Sequence, residues 1–180
     1  MRCWKEEGNR MEKGLIHLYW GDGKGKTTAA MGVAMRGLAA GKKVVIVQFL
    51  KGAPSGEIPL LQQLGAVVYR GKAGDKFVFQ MTEEEKSQTR KIQNEHLQMA
   101  LSEKADMLIL DEACAALQLG MVESDLLQKA VLQKPEGQEL ILTGRKPADW
   151  MMEAADYCTE MHCWRHPYDK GISARKGVEY

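Results

Sequence analysis

No stretch of the chain approaches the roughly 20 consecutive apolar residues that a membrane-spanning helix needs. The opening, Met1 to Lys13, is polar and charged and lacks the apolar centre of a secretory leader. Long basic blocks are missing as well. With a formal charge of +1, bulk electrostatics give no reason to expect nucleic acid as a partner. There is no internal repeat and no low-complexity tract. Cysteine is scarce: Cys3, Cys114, Cys158 and Cys163 are unevenly spaced, which excludes a disulfide framework and reads as buried thiols packed as small hydrophobes. Cys158, His162, Cys163 and His166 invite a zinc reading. Their spacing has no C-x-x-C knuckle, and the segment otherwise reads as a strand. These absences point to a cytoplasmic protein that engages neither membrane nor nucleic acid.

What is present fits a folded chain of ordinary make-up: 180 residues, 44% hydrophobic and 27% charged. That length is enough for one domain, which at this size buries about 70% of its unfolded surface. Residues 1–13 carry no periodic pattern and read as a flexible N-terminal arm, leaving 14–180 as a single domain.

That domain is organised around Gly21-Asp22-Gly23-Lys24-Gly25-Lys26-Thr27-Thr28. An apolar run, Leu15 to Trp20, leads into it, and a helical stretch rich in Ala, Met and Leu follows to Ala40. Glycines at alternate positions let a backbone wrap closely round an anion. The amides that follow open a helix, so their N–H groups and the helix dipole converge on that anion. Lys26 can reach terminal phosphates, and Thr27 offers a hydroxyl to a magnesium ion. The strict phosphate-loop pattern would place glycine at position 20, where this chain has Trp20; Gly25-Lys26-Thr27 fits it.

Further along, Val44 to Leu50 is a near-continuous β-branched run, as expected of a strand buried on both faces. Glu57 to Leu64 reads as a short helix and Ala66 to Tyr69 as a strand. Phe77-Val78-Phe79 reads as an extended segment with both rings on one side, packed in the core by default; a loop position near the site would instead make the pair an apolar ligand contact. Thr82 and Glu85 form a capping box that opens a long helix to about Lys104. Met107 to Leu110 is a buried strand ending in Asp111-Glu112, Glu123 to Gln133 a helix, and Glu139 to Thr143 a strand ending in Gly144-Arg145. Pro147 to Ala155 reads as helical and Tyr157 to Met161 as extended. Strands alternating with helices at this spacing give a mostly parallel sheet with helices on both faces.

In such a sheet, ligands bind at the carboxyl ends of the strands. Three ends carry polar residues that converge there: the Gly21–Thr28 loop, Asp111-Glu112 and Gly144-Arg145. Four apolar residues followed by two carboxylates match a Walker B element, one carboxylate to ligate magnesium and the other to support it. Arg145 presents a guanidinium suited to phosphate oxygens. By themselves these parts leave open a conventional P-loop ATPase or phosphotransferase, or a nucleotide-dependent binding module.

The combined segments resemble one family. They are Gly21 to Ala30, then Val47-Gln48-Phe49-Leu50-Lys51-Gly52, then Leu110-Asp111-Glu112, then Leu142-Thr143-Gly144-Arg145, and finally the tail from His166 to Tyr180. Together they are similar to the P-loop corrinoid adenosyltransferases, whose own loop lacks the glycine at the Trp20 position. The resemblance implies a P-loop NTPase-like (RecA-like) α/β fold and transfer of the 5′-deoxyadenosyl group of ATP to the cobalt(I) of a corrinoid, with release of triphosphate. It implies that Gly21, Asp22, Gly23, Lys24, Gly25, Lys26, Thr27, Thr28 and Arg145 hold the nucleotide, and that Thr27 and Glu112 hold Mg2+. It assigns no acid or base, since the cobalt is the nucleophile, and it aligns Phe77 and Phe79 with aromatics that position the corrinoid; family members often have tryptophan where Phe79 stands. A homodimer, an electron-supplying reductase and an N-terminal arm folded over the corrinoid are further implications.

Overall fold

The structure is a computed structural model and describes residues 13–179. The arm expected over residues 1–13 therefore lies, but for its last residue, outside the described residues. Three strands hold the least polar parts of the chain: β2 (Val44–Gln48), β4 (Met107–Asp111) and β5 (Glu139–Gly144). All but the first residue of β5 are buried. A strand with no polar face must be covered on both sides, and these lie at the centre of a six-stranded sheet. With β1 (Ile16–Trp20), β3 (Val67–Arg70) and β6 (Tyr157–Glu160), the order is β3-β2-β4-β5-β1-β6. Every pairing is parallel.

The period of two along each strand divides the core into two layers. Val45, Val47, Leu108, Leu110, Leu140 and Leu142 face one side. There they meet helices α3 (Glu83–Ser102), α4 (Ala113–Gln118), α5 (Ser124–Leu132) and α6 (Asp149–Ala154) through Leu97, Cys114, Leu127 and Met151. Val44, Ile46, Met107, Ile109 and Ile141 face the other side, under α1 (Lys26–Ala39) and α2 (Glu57–Gln63). Each such side chain taken fully out of water contributes about 1.5–3 kcal/mol, so the two layers hold the central strands between the helices. β5 lies between β1 and β4. The strand feeding the glycine loop is thus separated by one strand from the strand that ends in acids, which is the RecA-like arrangement.

The expected capping box is formed. Thr82 Oγ1 accepts from the Glu85 N–H at 3.2 Å, and Glu85 Oε2 accepts from the Thr82 N–H at 2.8 Å. Beyond this charged first turn, Thr89, Gln93, Leu97 and Ala100 turn a buried stripe to the sheet, at the spacing one helical face requires.

Two expectations are corrected and one helix is added. Phe77-Val78-Phe79 is not extended: Val78–Gln80 form a 3₁₀ turn. Its two rings are not core but 68% and 82% exposed, because a single pair of aromatics two residues apart is too short a pattern to fix a buried face. The helix α4 was not foreseen, since it is six residues long with no side-chain cap. Lastly, Cys158 is exposed rather than buried, because every residue of the edge strand β6 is exposed.

Candidate functional site

The loop after β1 is shaped by the segment leaving β6. Gly21 has φ +110, and a Cβ there would sit 2.4 Å from the Met161 carbonyl oxygen. The Gly23 N–H donates to that same carbonyl at 2.7 Å, so this part of the loop is pressed against the exit of β6. Asp22 is exposed and accepts from the Cys163 N–H at 3.0 Å. Gly25, at φ +113, is the N-cap of α1, a left-handed turn that glycine adopts without a Cβ penalty. From that point the amides of α1 open into a cavity of about 510 Å³.

Lys24, Gly25, Lys26, Thr27, Thr28 and Glu112 all line this cavity. Gly21, Asp22, Gly23 and Arg145 do not. The Arg145 carbonyl accepts from the Gly21 N–H at 3.2 Å, while its side chain is exposed. Lys26 is buried, its Nζ donating to the Gly23 carbonyl at 2.6 Å. Burial holds its ammonium below the ordinary lysine pKa; the Glu112 charge opposes that and the Arg145 charge adds to it.

Asp111 is the hub at the floor. Its Oδ1 accepts from Thr27 Oγ1 at 2.9 Å and from Thr143 Oγ1 at 2.7 Å. Its Oδ2 accepts from Lys51 Nζ at 2.6 Å and Gln48 Nε2 at 3.2 Å. β2, the segment just after it, β5 and the first turn of α1 thus each send one group to a fully buried carboxylate at the end of β4, which meets the rule that a buried charge be paired and hydrogen-bonded. Glu112, next in the chain, takes the left-handed conformation at φ 61, which turns it into the cavity. Burial and then the Asp111 charge raise the pKa of its carboxyl, with Lys51, Lys26 and Arg145 pulling the other way.

Two parts of this site escaped sequence reasoning. Lys51 also donates to Thr27 Oγ1 at 3.0 Å; a cation placed directly after a buried strand, at the carboxyl edge of the sheet, was the available signal. The other is the tail, whose Gly177, Val178 and Glu179 close one side of the cavity. Lys24 Nζ donates to the Val178 carbonyl at 2.8 Å and lies 3.5 Å from the Glu179 carboxylate. Arg175 grips that carboxylate and holds its pKa down to about 2.

A second, apolar cavity of about 180 Å³ lies beside Phe77 and Phe79, with Leu50, Lys72 and Leu119. The two rings stack nearly parallel, centroids 5.7 Å apart at 7°. Leu50 and Lys51 are consecutive, one lining the apolar cavity and the other the polar one. Leu50, like Glu112, is a non-glycine residue with φ 61. Such backbone costs on the order of 1–3 kcal/mol and concentrates at ligand clamps.

A RecA-like sheet with a phosphate loop, an acidic strand end and a helix N-terminus opening into one cavity defines a P-loop nucleotide-binding protein. The family profile described as ATP:corrinoid adenosyltransferase BtuR/CobO/CobP matches residues 12–180, and the chain belongs to that family. It is 34% identical to the corrinoid adenosyltransferase of Escherichia coli K12, over 94% of this chain and 87% of that one. To the corrinoid adenosyltransferase of Pseudomonas aeruginosa it is 33% identical, over 95% and 86%. To corrinoid adenosyltransferase CobA of Salmonella typhimurium it is 32% identical, over 94% and 87%.

Proposed function

We propose that the chain moves the 5′-deoxyadenosyl group of ATP onto the cobalt(I) of a corrinoid, gripping the triphosphate in the cavity lined by Lys24, Lys26 and Lys51 and the corrinoid at the Phe77–Phe79 face. The cobalt lone pair forms the Co–C bond at the 5′ carbon, the C–O bond breaks, and triphosphate leaves with that electron pair. The observation that carries this reading is the Leu50–Lys51 pair, which joins an apolar, aromatic-walled cavity directly to a cationic one. Family membership supplies the reaction class. The geometry supports where its two halves sit.

The protein's own task is to hold and neutralise a departing polyanion. Lys24, Lys26, Lys51 and the α1 amides meet the phosphate chain, and Arg145 adds charge from outside the cavity. Preorganised donors of this kind act on charge as it develops, without reorganisation during the reaction. Thr27, Asp111 and Glu112 offer hard oxygen donors on one patch, which fits magnesium; we read Thr27 and Glu112 as its ligands and Asp111 as the group that orients Thr27. The ion would neutralise phosphate charge. No acid or base is needed, because the substrate itself provides the nucleophile.

The test is the product. Pre-reduced corrinoid with ATP should yield adenosylated corrinoid and inorganic triphosphate in equal amounts. Orthophosphate or diphosphate with no adenosylated corrinoid would instead indicate a conventional P-loop ATPase or phosphotransferase.

Phe79 is read as a wedge beneath the corrinoid that keeps its lower axial ligand away. Phe79→Ala should slow reaction starting from cob(II) forms about 10-fold or more, a loss of over 1 kcal/mol, and leave pre-reduced cob(I) nearly untouched. Since the ring is 82% exposed, the melting temperature should hold. Equal slowing with both substrates would reduce Phe79 to a general contact.

Free thiols at Cys114, Cys158 and Cys163 are in keeping with a reducing cytoplasm. Among the described residues no helix is long and apolar enough to cross a membrane. A homodimer and a reductase partner belong to the same reading by family analogy.

A further inference from the structure

We propose that Lys51 is an exchangeable ligand that couples metal to triphosphate. Its ammonium holds the cation position at Thr27 and Asp111, and it transfers to the phosphate chain when cation and triphosphate enter together. The proposal rests on reading Thr27 and Glu112 as the ligands of the cation, with Asp111 orienting Thr27 beside it.

Three observations carry it. First, Lys51 Nζ lies 3.0 Å from Thr27 Oγ1 and 2.6 Å from Asp111 Oδ2, so it contacts the oxygens a hard cation would seek. A magnesium ligated by Thr27 at about 2.1 Å would lie within about 5 Å of that nitrogen, where like charges repel strongly. The ammonium and the cation therefore compete for the same oxygens.

Second, Asp111 does not need Lys51 to remain satisfied. Thr27 and Thr143 donate to Oδ1, and Gln48 donates to Oδ2. Departure of the ammonium leaves no orphaned buried oxygen, and the entering cation supplies the positive charge that the buried carboxylate needs.

Third, Lys51 has somewhere to go. It lines the cavity beside Lys24 and Lys26, its side chain is 28% exposed, and the segment from Lys51 to Ser55 belongs to no helix or strand. Of the neighbouring ammonium groups, Lys24 is engaged by Val178 and Glu179, and Lys26 by the Gly23 carbonyl. Lys51 is the one whose partner is itself part of the cation site. The consequence is reciprocal: cation alone meets a competitor, triphosphate removes the competitor, and each tightens the other.

The test measures Mn2+ binding to the full chain by electron paramagnetic resonance, with and without inorganic tripolyphosphate, in wild type, Lys51→Met and Lys51→Arg. In wild type, tripolyphosphate should tighten Mn2+. Lys51→Met should bind Mn2+ alone on the order of 10-fold more tightly than wild type, and tripolyphosphate about 10-fold more weakly, so that the coupling shrinks. Lys51→Arg keeps the charge and should retain tripolyphosphate binding, which a lost structural buttress would not restore. Unchanged Mn2+ and tripolyphosphate affinities in Lys51→Met, or weaker Mn2+ binding, would overturn the exchange while leaving the cation site standing. Wild type that takes up no Mn2+ even with tripolyphosphate would overturn the cation site and the exchange with it.

Discussion

Lys26→Ala is expected to lower kcat/KM for ATP by about 10²–10³-fold, the loss seen when one preorganised donor to a developing anion is removed. The lysine is buried against the Gly23 carbonyl in the wall of the polar cavity, where alanine offers no donor in its place. The variant should not lose stability. Burial holds the Lys26 pKa below its ordinary value, so the folded chain binds that proton less readily than the unfolded chain does. While the lysine is protonated, its charge therefore works against folding, and its removal should leave the melting temperature level or raise it. The decisive readout is product inhibition. If Lys26 grips the group that leaves, inorganic triphosphate should inhibit the variant far less than wild type. An unchanged inhibition constant beside a large fall in kcat/KM would place Lys26 elsewhere in the reaction.

The parts of the fold that could be read from sequence are those whose environment is uniform. β2, β4 and β5 are buried on both faces, so their composition alone marks them. α3 announces its start because Thr82 and Glu85 satisfy two backbone amides at once. β6 was legible as an extended segment, but its full exposure was not, because an edge position is decided by β1 pairing with it on only one side. The site divides in the same way. Lys26 and Thr27 belong to a local motif whose spacing is the mechanism, and both line the cavity. Lys51 and the tail come from distant sequence, and their roles depend on contacts spanning 60 residues to Asp111 and 154 residues from Lys24 to Val178. The second of these uses a backbone carbonyl, which no side-chain pattern can advertise. The glycines at 21 and 23 show a subtler limit: the loop needed them, but partly for the approach of Met161 rather than for an anion.

The neighbouring carboxylates Asp111 and Glu112 should separate cleanly when each is replaced. Asp111→Ala should both abolish turnover and destabilise the fold, because it strips four side-chain donors of a fully buried partner. Breaking a buried charge pair costs roughly 3–5 kcal/mol, and the partial exposure of Lys51 favours the lower end. About 3 kcal/mol corresponds to a fall of roughly 6–12 °C in melting temperature for a domain of this size. Glu112→Gln should behave oppositely on stability. Its carboxyl pKa is raised in the folded state by burial and by Asp111, so above that pKa the ionised form costs folding energy that the amide does not. The melting temperature should therefore stay level or rise, while half-maximal activity requires more magnesium. Calorimetry and a magnesium titration on the two variants decide between the roles. Equal destabilisation by both would make the pair one structural unit, and a Glu112→Gln enzyme with an unshifted magnesium requirement would remove Glu112 from the metal site. The prediction turns on one backbone feature: at φ 61 the chain leaves β4 so that adjacent acids face opposite tasks, Asp111 inward to hold the floor together and Glu112 outward into the cavity.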